Sequence, residues 1–490
     1  MSWTMRDLEY WDARIRDKVA AFDLDTYDQE FDICDRDQMI GFMAYHGMPA
    51  HYPHWSFGKS YERQRTLNDL GVAGLPYEMV INSSPSIAYL MRDNSLCLQV
   101  LTMAHVYGHN DFFKNNFYFA RGTRAELILG QVKMHADRVR GYAEDPSIGL
   151  EAVERVLDAA HALSFNIGRN PAVPRLTPDQ QRARALDRAQ GAHDPYAAIH
   201  ARKPSVPAAA AAVELERIPA DPDPDLLLFI RDHGGYLADW QRDLIGIVDE
   251  EARYFLPQME TKIMNEGWAS FWHRAIMNSL DLPADIHMEF LVRHNQVVRR
   301  IPGDVNPYCL GLAIWDKLVA EEEGVWEPGR GLPGAPSPAT RQKLFQIRES
   351  ERDSSFLRRF LDESMMRDQD LFAYEPRGND LVVSKVSNET GWREVRDRLI
   401  RQTGTNAMPM IRVVDGDYGR SRGLLLDHVH DGRDLQLGYA EKTLDHVYTL
   451  WCRDVHLKTV VNRETVILSR GADGFRTRVL RDECRAPNPG

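Results

Sequence analysis

The stretch LCLQVLTMAHVYGHNDFFKNN, residues 96–116, decides how this chain is read. The pattern predicts a helix over 94–113, and it places Leu98, Leu101, Thr102, His105 and His109 at i, i+3, i+4, i+7 and i+11, on one face. That face begins apolar and ends in two histidines four residues apart. Histidines at i and i+4 are the ligand arrangement of the H-E-x-x-H metalloenzymes, where both rings meet one ion. Here Val106 stands where those enzymes carry their glutamate base. The ligand spacing is present and the customary base is missing. A pair of hydrogen-bonded core histidines would have the same spacing.

A second stretch, MNEGWASFWH at 264–273, bears on the first. Seven helical residues rotate by about 700°, close to two turns, so Glu266 and His273 share a face with Ser270 between them. A carboxylate and an imidazole facing one way among Trp, Phe and Ala cost free energy unless a metal or a hydrogen-bond network pairs them. In one large class of zinc hydrolases a later helix carries N-E-G-x-A, whose Glu completes a His₂Glu site with an open position for water. Asn265-Glu266-Gly267-Trp268-Ala269 has that pattern. The expectation is a metal centre of His105, His109 and Glu266, with Zn²⁺ as the ion and Fe or Mn as alternatives. His273 is then a fourth ligand, a proton donor or the partner of a ligand. A strand-like piece over 77–82 and a turn over 83–86 precede the histidine helix. An edge strand beside such a site can pair with an extended peptide.

Three further segments carry candidates. In LEAVERVLDAAHAL (150–163), Glu154, Asp158 and His161 fall at i, i+4 and i+7. They read either as a solvated face with His161 bonded to Asp158, or as part of a binuclear helical-bundle site. In HYPHWSFGK (51–59), His51 and His54 mix with aromatics and a glycine turn, read as a packed loop in preference to the wall of a cleft. Tyr308, in Asn306-Pro307-Tyr308, reads as a buried turn tyrosine or as a phenol able to donate to an oxyanion. Glu289 and His294 are five apart and share no helical face.

The surrounding composition narrows the function classes. A net charge of −12, spread along 490 residues, argues against a general phosphate-backbone binder, so no nucleic-acid partner is expected. The five cysteines are far apart and never spaced C-x-x-C, which excludes a zinc ribbon and fits the cytosol. No apolar signal core opens the chain and no run approaches a membrane span. P-loop, G-x-G-x-x-G and G-x-S-x-G patterns are absent, against nucleotide hydrolysis and Rossmann redox chemistry.

The predicted fold is a mainly α-helical N-terminal and central region with a short β-sheet, compatible with a zincin-like site, followed by a small C-terminal α+β domain. The expected segments are 1–168, helical with the edge strand and the histidine helix; 169–225, a linker; 226–370, helical with the NEGW motif and broken at Pro257; 371–470, the α+β domain; and 471–490, a frayed tail. In the α+β part, strands are expected at 381–386, 411–414, 423–429, 455–461 and 464–469, and helices at 392–402 and 441–451.

PHWSFGK (53–59), EMVINSSPSIAYLM (78–91), AHVYGHNDFFKNN (104–116), NEGWASFWH (265–273), NPYCLG (306–311), GWREVRDRL (391–399) and LDHVYTLW (444–451) resemble the stage V sporulation protein R (SpoVR) family over nearly the whole chain. The resemblance implies sporulation and the spore cortex, a peptidoglycan layer, although the family is also widespread in bacteria that form no spores. It implies a cytoplasmic protein. It also implies, as partners, a PrkA-type serine protein kinase and a protein with a von Willebrand-like domain. It brings no catalytic residues with it.

The leading expectation is a metal-dependent hydrolase of amide or peptide bonds, linked through the resemblance to cell-wall peptides. The base would come from His273, Asp111 or Glu154. A non-haem iron or binuclear bundle would add Glu154 and His161 to the ligands. A non-enzymatic signalling or assembly partner of the kinase system would leave the histidines structural.

Overall fold

The computed structural model describes residues 3–72, 75–171, 173–189, 217–301, 304–324, 335–371, 373–377, 380–385 and 391–480. In chain order the elements are α1 (Met5–Ala21), β1 (Gln29–Cys34), α2 (Arg36–Ala44), α3 (Trp55–Asp69), β2 (Glu78–Ile81), β3 (Ser86–Met91), α4 (Leu96–Asn115), α5 (Phe117–Gly122), α6 (Ile128–Glu144), α7 (Leu150–Ala162), α8 (Pro178–Ala189), α9 (Leu226–His233), α10 (Asp239–Glu260) and α11 (Lys262–Ser279). They continue with α12 (Ala284–Val297), α13 (Pro307–Glu323), α14 (Pro338–Ser350), α15 (Asp353–Phe360), α16 (Glu363–Asp368), β4 (Ala373–Arg377), β5 (Asp380–Lys385), α17 (Gly391–Gln402), β6 (Ile411–Tyr418), β7 (Gly423–His428), α18 (Leu437–Trp451), β8 (Val455–Val461), β9 (Glu464–Gly471) and β10 (Gly474–Val479). The chain is mainly helical with a small C-terminal β-sheet domain, as the sequence implies. No described helix is long and apolar enough to cross a membrane.

The chain divides into two compact units, residues 1–140 with 254–407 and residues 141–253 with 408–490. The first is built on α4, whose residues from Cys97 to Phe113 are all buried. A helix buried on every side belongs at the centre of a core, and α11 and α13 pack beside it. Glycine permits their close approach. A Cβ on Gly108 would lie 2.7 Å from the Ala269 Cα, and one on Gly267 would lie 2.3 Å from the Gly311 carbonyl carbon. Trp268, Trp272, Trp315, Phe271 and Phe356 fill the space around these contacts. A three-stranded sheet of order β1-β3-β2, with β1 parallel and β2 antiparallel to β3, adjoins this core.

The second unit carries a five-stranded sheet of order β10-β9-β8-β7-β6, in which only β7 and β8 are parallel. Helix α18 packs on β8, β9 and α7.

Several expectations need correction. Helix α10 does not break at Pro257 but runs on to Glu260, ending where Thr261 leaves helical geometry and donates its hydroxyl to the Pro257 carbonyl. Of the segment at 51–59, read as a packed loop, only 51–54 is one, and Trp55 to Lys59 open helix α3. His54 caps α3, and Gly58 lies inside that helix. The first region also holds β1 and β3, which sequence periodicity did not reveal, since β3 is buried on nearly every residue and shows no alternation. The stretch from 471 does not fray at once, because β10 pairs with β9 from Gly474↔Gly471 to Val479↔Val466. At the end of the expected linker, Asp223 and Val413 exchange backbone hydrogen bonds of 3.0 and 2.8 Å. Residues 190–216 of that linker and 325–334 of the Pro/Gly-rich loop lie outside the described residues.

Candidate metal centre

Two helices bring the predicted ligands together. Helix α4 offers His105 and His109 from successive turns, and α11 offers Glu266. Glu266 Oε2 lies 3.4 Å from His109 Nε2 and 3.7 Å from His105 Nε2. Ligand atoms of the three residues all lie within 4.8 Å of one another, the single such group among the described residues. Glu266 Oε2 is buried and has no hydrogen-bond partner. Donors held tetrahedrally at roughly 2.0–2.1 Å from one zinc ion stand about 3.4 Å apart. The spacing is thus too long for good hydrogen bonds and right for a shared cation, and the residues present fit a His₂Glu metal site.

The outer nitrogens are fixed by α11 as well. His109 Nδ1 donates to Asn265 Oδ1 at 2.8 Å, which turns Nε2 toward Glu266. His105 Nδ1 lies 2.9 Å from His273 Nδ1, and His273 Nε2 lies 2.7 Å from His294 Nδ1 on α12. The shared face of Glu266 and His273 therefore has a concrete meaning: the two residues address opposite nitrogens of one imidazole. His273 is brought to the centre, but behind His105, with both of its nitrogens engaged.

Beside the ligand nitrogens stand two further groups. Glu78, from β2, places Oε1 3.9 Å from His105 Nε2. The Tyr308 ring, in the first turn of α13, stacks at 6.1 Å on His105, and its hydroxyl faces Glu266. Glu78 was not singled out in the sequence. Its signal is an acidic residue opening the otherwise apolar strand EMVI.

Burial and charge set the protonation states. Burial would raise the Glu266 carboxyl, but the facing His105 and His109 rings more than reverse this and hold it well below its usual range. Burial would lower His109, and Glu266 overturns that to raise it. Glu78 is raised, chiefly by burial and only partly offset by the two histidines. Burial and cationic neighbours push His273 well below its usual value and His294 down to about 4. Both are therefore neutral at pH 7. The Tyr308 phenol is raised far above its usual value by burial and by the Glu266 and Glu78 charges, so it keeps its proton.

The remaining candidates lie elsewhere. Asp111, on α4, is fully buried and already satisfied. Arg348 Nη1 bonds both of its oxygens at 2.6 and 2.7 Å, Trp268 Nε1 donates at 2.8 Å and the Asp25 N–H at 2.9 Å. Glu154, Asp158 and His161 lie on α7, in the second unit. His54 accepts from the Ser56 N–H as a helix cap. Glu289 accepts from Ser95 Oγ at 2.6 Å while His294 faces inward, in line with their separate faces.

The family described as "SpoVR like protein" matches residues 2–408, and the "SpoVR-like C-terminal domain" matches residues 409–462. The YcgB protein of Escherichia coli (strain K12) is 34% identical over 478 residues, covering 93% of this chain and 92% of its own length. No solved structure matches the chain. On the strength of both family domains and this full-length relative, the chain belongs to the SpoVR family.

Proposed function

We propose that this protein is a metal-dependent hydrolase of amide or peptide bonds, with its metal held by His105, His109 and Glu266. The observation that carries the reading is the buried Glu266 Oε2, without a hydrogen bond and set 3.4 and 3.7 Å from two imidazole nitrogens. A buried carboxylate oxygen in that position is costly unless a cation completes it. A bound Zn²⁺ would supply Lewis acidity toward a carbonyl oxygen and make a bound water more acidic.

The chain's own groups supply the rest. With valine at 106, the base comes from Glu78, the carboxylate 3.9 Å from His105 Nε2. Burial raises its carboxyl, the direction that favours a group that must take up and return a proton. Glu78 takes the proton of the attacking water. The water oxygen bonds to the carbonyl carbon, the C–N bond breaks, and the proton passes from Glu78 to the leaving nitrogen. Tyr308, held protonated, would donate to the oxyanion. His273 and Asn265 orient the two ligand rings, and neither moves a proton in this scheme.

Glu78→Gln tests the assignment. It should keep the wild-type metal content and lose hydrolysis of a peptide pool by about 10²-fold or more. Full activity in Glu78→Gln would remove Glu78 from the role of base. Two imidazoles with carboxylates also suit non-haem iron, and iron in place of zinc in the purified protein would turn the reading toward redox chemistry.

A further inference from the structure

We propose that the outer edge of β2 is a docking edge for an extended peptide segment, which adds to the sheet as a fourth strand beside the ligand cluster. What becomes of the bound peptide rests on the hydrolase reading, while the docking itself does not.

The sheet order leaves β2 outermost. The phase of its ladder follows from three backbone bonds. Met91 N–H donates to Tyr77 O at 3.5 Å, while Ser86 and Arg92 N–H donate to Asp28 O and Cys34 O at 2.8 and 2.9 Å. Odd-numbered residues of β3 thus face β2 and even-numbered ones face β1. With Met79 opposite Tyr89 and Ile81 opposite Ile87, antiparallel alternation puts the Met79 and Ile81 backbones in the ladder. The N–H and C=O groups of Glu78 and Val80 then point outward. No hydrogen bond to these backbone groups is found among the described residues.

This edge is also reachable. Glu78, Met79 and Val80 are only half-buried, whereas β3 is buried almost throughout. Unpaired strand edges either are blocked or bind another strand. Here the edge residue Glu78 is the one whose carboxylate reaches the cluster, 3.9 Å from His105 Nε2. An added strand lies about 4.8 Å from β2, so a segment paired with Glu78 and Val80 runs its own carbonyls past the ligand atoms. That continuity with the candidate site selects the occupant: a substrate segment in extended form. Recognition runs through the main chain, so the ligand class is unfolded peptide of broad sequence, spanning about four residues of pairing.

The test is fluorescence anisotropy of the full-length, metal-free protein with a labelled pool of random decapeptides. We expect saturable binding. The same pool N-methylated at every second amide should bind at least tenfold more weakly, because it cannot pair with an edge. Val80→Pro removes an outward N–H and leaves the β2–β3 ladder intact. It should weaken binding at least tenfold, while the same variant takes up zinc as the wild type does. No saturable binding, equal binding of the N-methylated pool, or a dimer of the chain that Val80→Pro dissociates would each overturn the proposal. Binding by the metal-free protein, with no cleavage of the same pool by the zinc-loaded protein, would keep the docking edge and sink the hydrolase. Cleavage that is indifferent to N-methylation would keep the hydrolase and sink the docking edge.

Discussion

His105 is the residue on which the centre turns. One nitrogen faces Glu266 and Glu78, and the other meets His273 and, through it, His294. The i, i+4 spacing and the NEG motif were enough to place His105, His109 and Glu266 in one candidate site. They could not name Glu78 or His294, because those residues arrive from a strand and a helix whose position depends on tertiary packing. Asp111 shows the opposite case. It sits two residues from His109 and invites a catalytic role, yet four hydrogen bonds from Arg348, Trp268 and Asp25 occupy it. Asp111→Ala would leave Arg348 without its buried carboxylate partner, so we predict a loss of about 3–5 kcal/mol in stability. Denaturant titration measures that loss. The fraction that remains folded should keep its metal, since Asp111 touches no ligand.

At the scale of elements, α11 is held between α4 and α13 by the absence of side chains. A Cβ on Gly311 would come within 2.1 Å of the Ile263 carbonyl oxygen, which is backbone and cannot rotate away. Gly311→Ala should therefore cost on the order of 1–3 kcal/mol and lower metal affinity, because it displaces the helix that carries Glu266. Calorimetry and metal titration would show both. The N-terminus of α11 is capped by Asp353, which accepts the Ile263 and Met264 N–H groups at 2.9 Å each. Burial raises its carboxyl to about 7 against these bonds. Between about pH 4 and 7 the folded state then holds a proton that the unfolded chain has released. This contribution to stability is fully present below that window and is lost as pH rises through 7. Urea midpoints at pH 5 and pH 8 should differ more in the wild type than in Asp353→Asn, and equal differences would refute the assignment. Neither feature was legible in the sequence. Glycine pairs reveal a close crossing only when the partner helix is known, and Asp353 lies almost ninety residues from the helix it caps.

At the scale of the molecule, each compact unit draws on two separated stretches of chain. Local pattern identified the helices and most strands of the C-terminal part, because its alternation and turns are local signals. It did not assign residues 141–253 to the unit of the C-terminal sheet, since such a grouping rests on long-range packing, as between α7 and α18. The candidate ligands all belong to the first unit. Zinc should therefore raise the unfolding temperature of one calorimetric component and leave the other in place. A uniform shift of both would count against a metal confined to that unit.

The most direct test is the metal content of the untagged protein, purified without chelator and measured by elemental mass spectrometry beside Glu266→Ala and His105→Ala/His109→Ala. We predict about one divalent metal per wild-type chain, and its loss in both variants while their circular dichroism stays helical. A wild-type protein without metal, or variants that keep it, would contradict the metal centre and return the two histidines of α4 to the core.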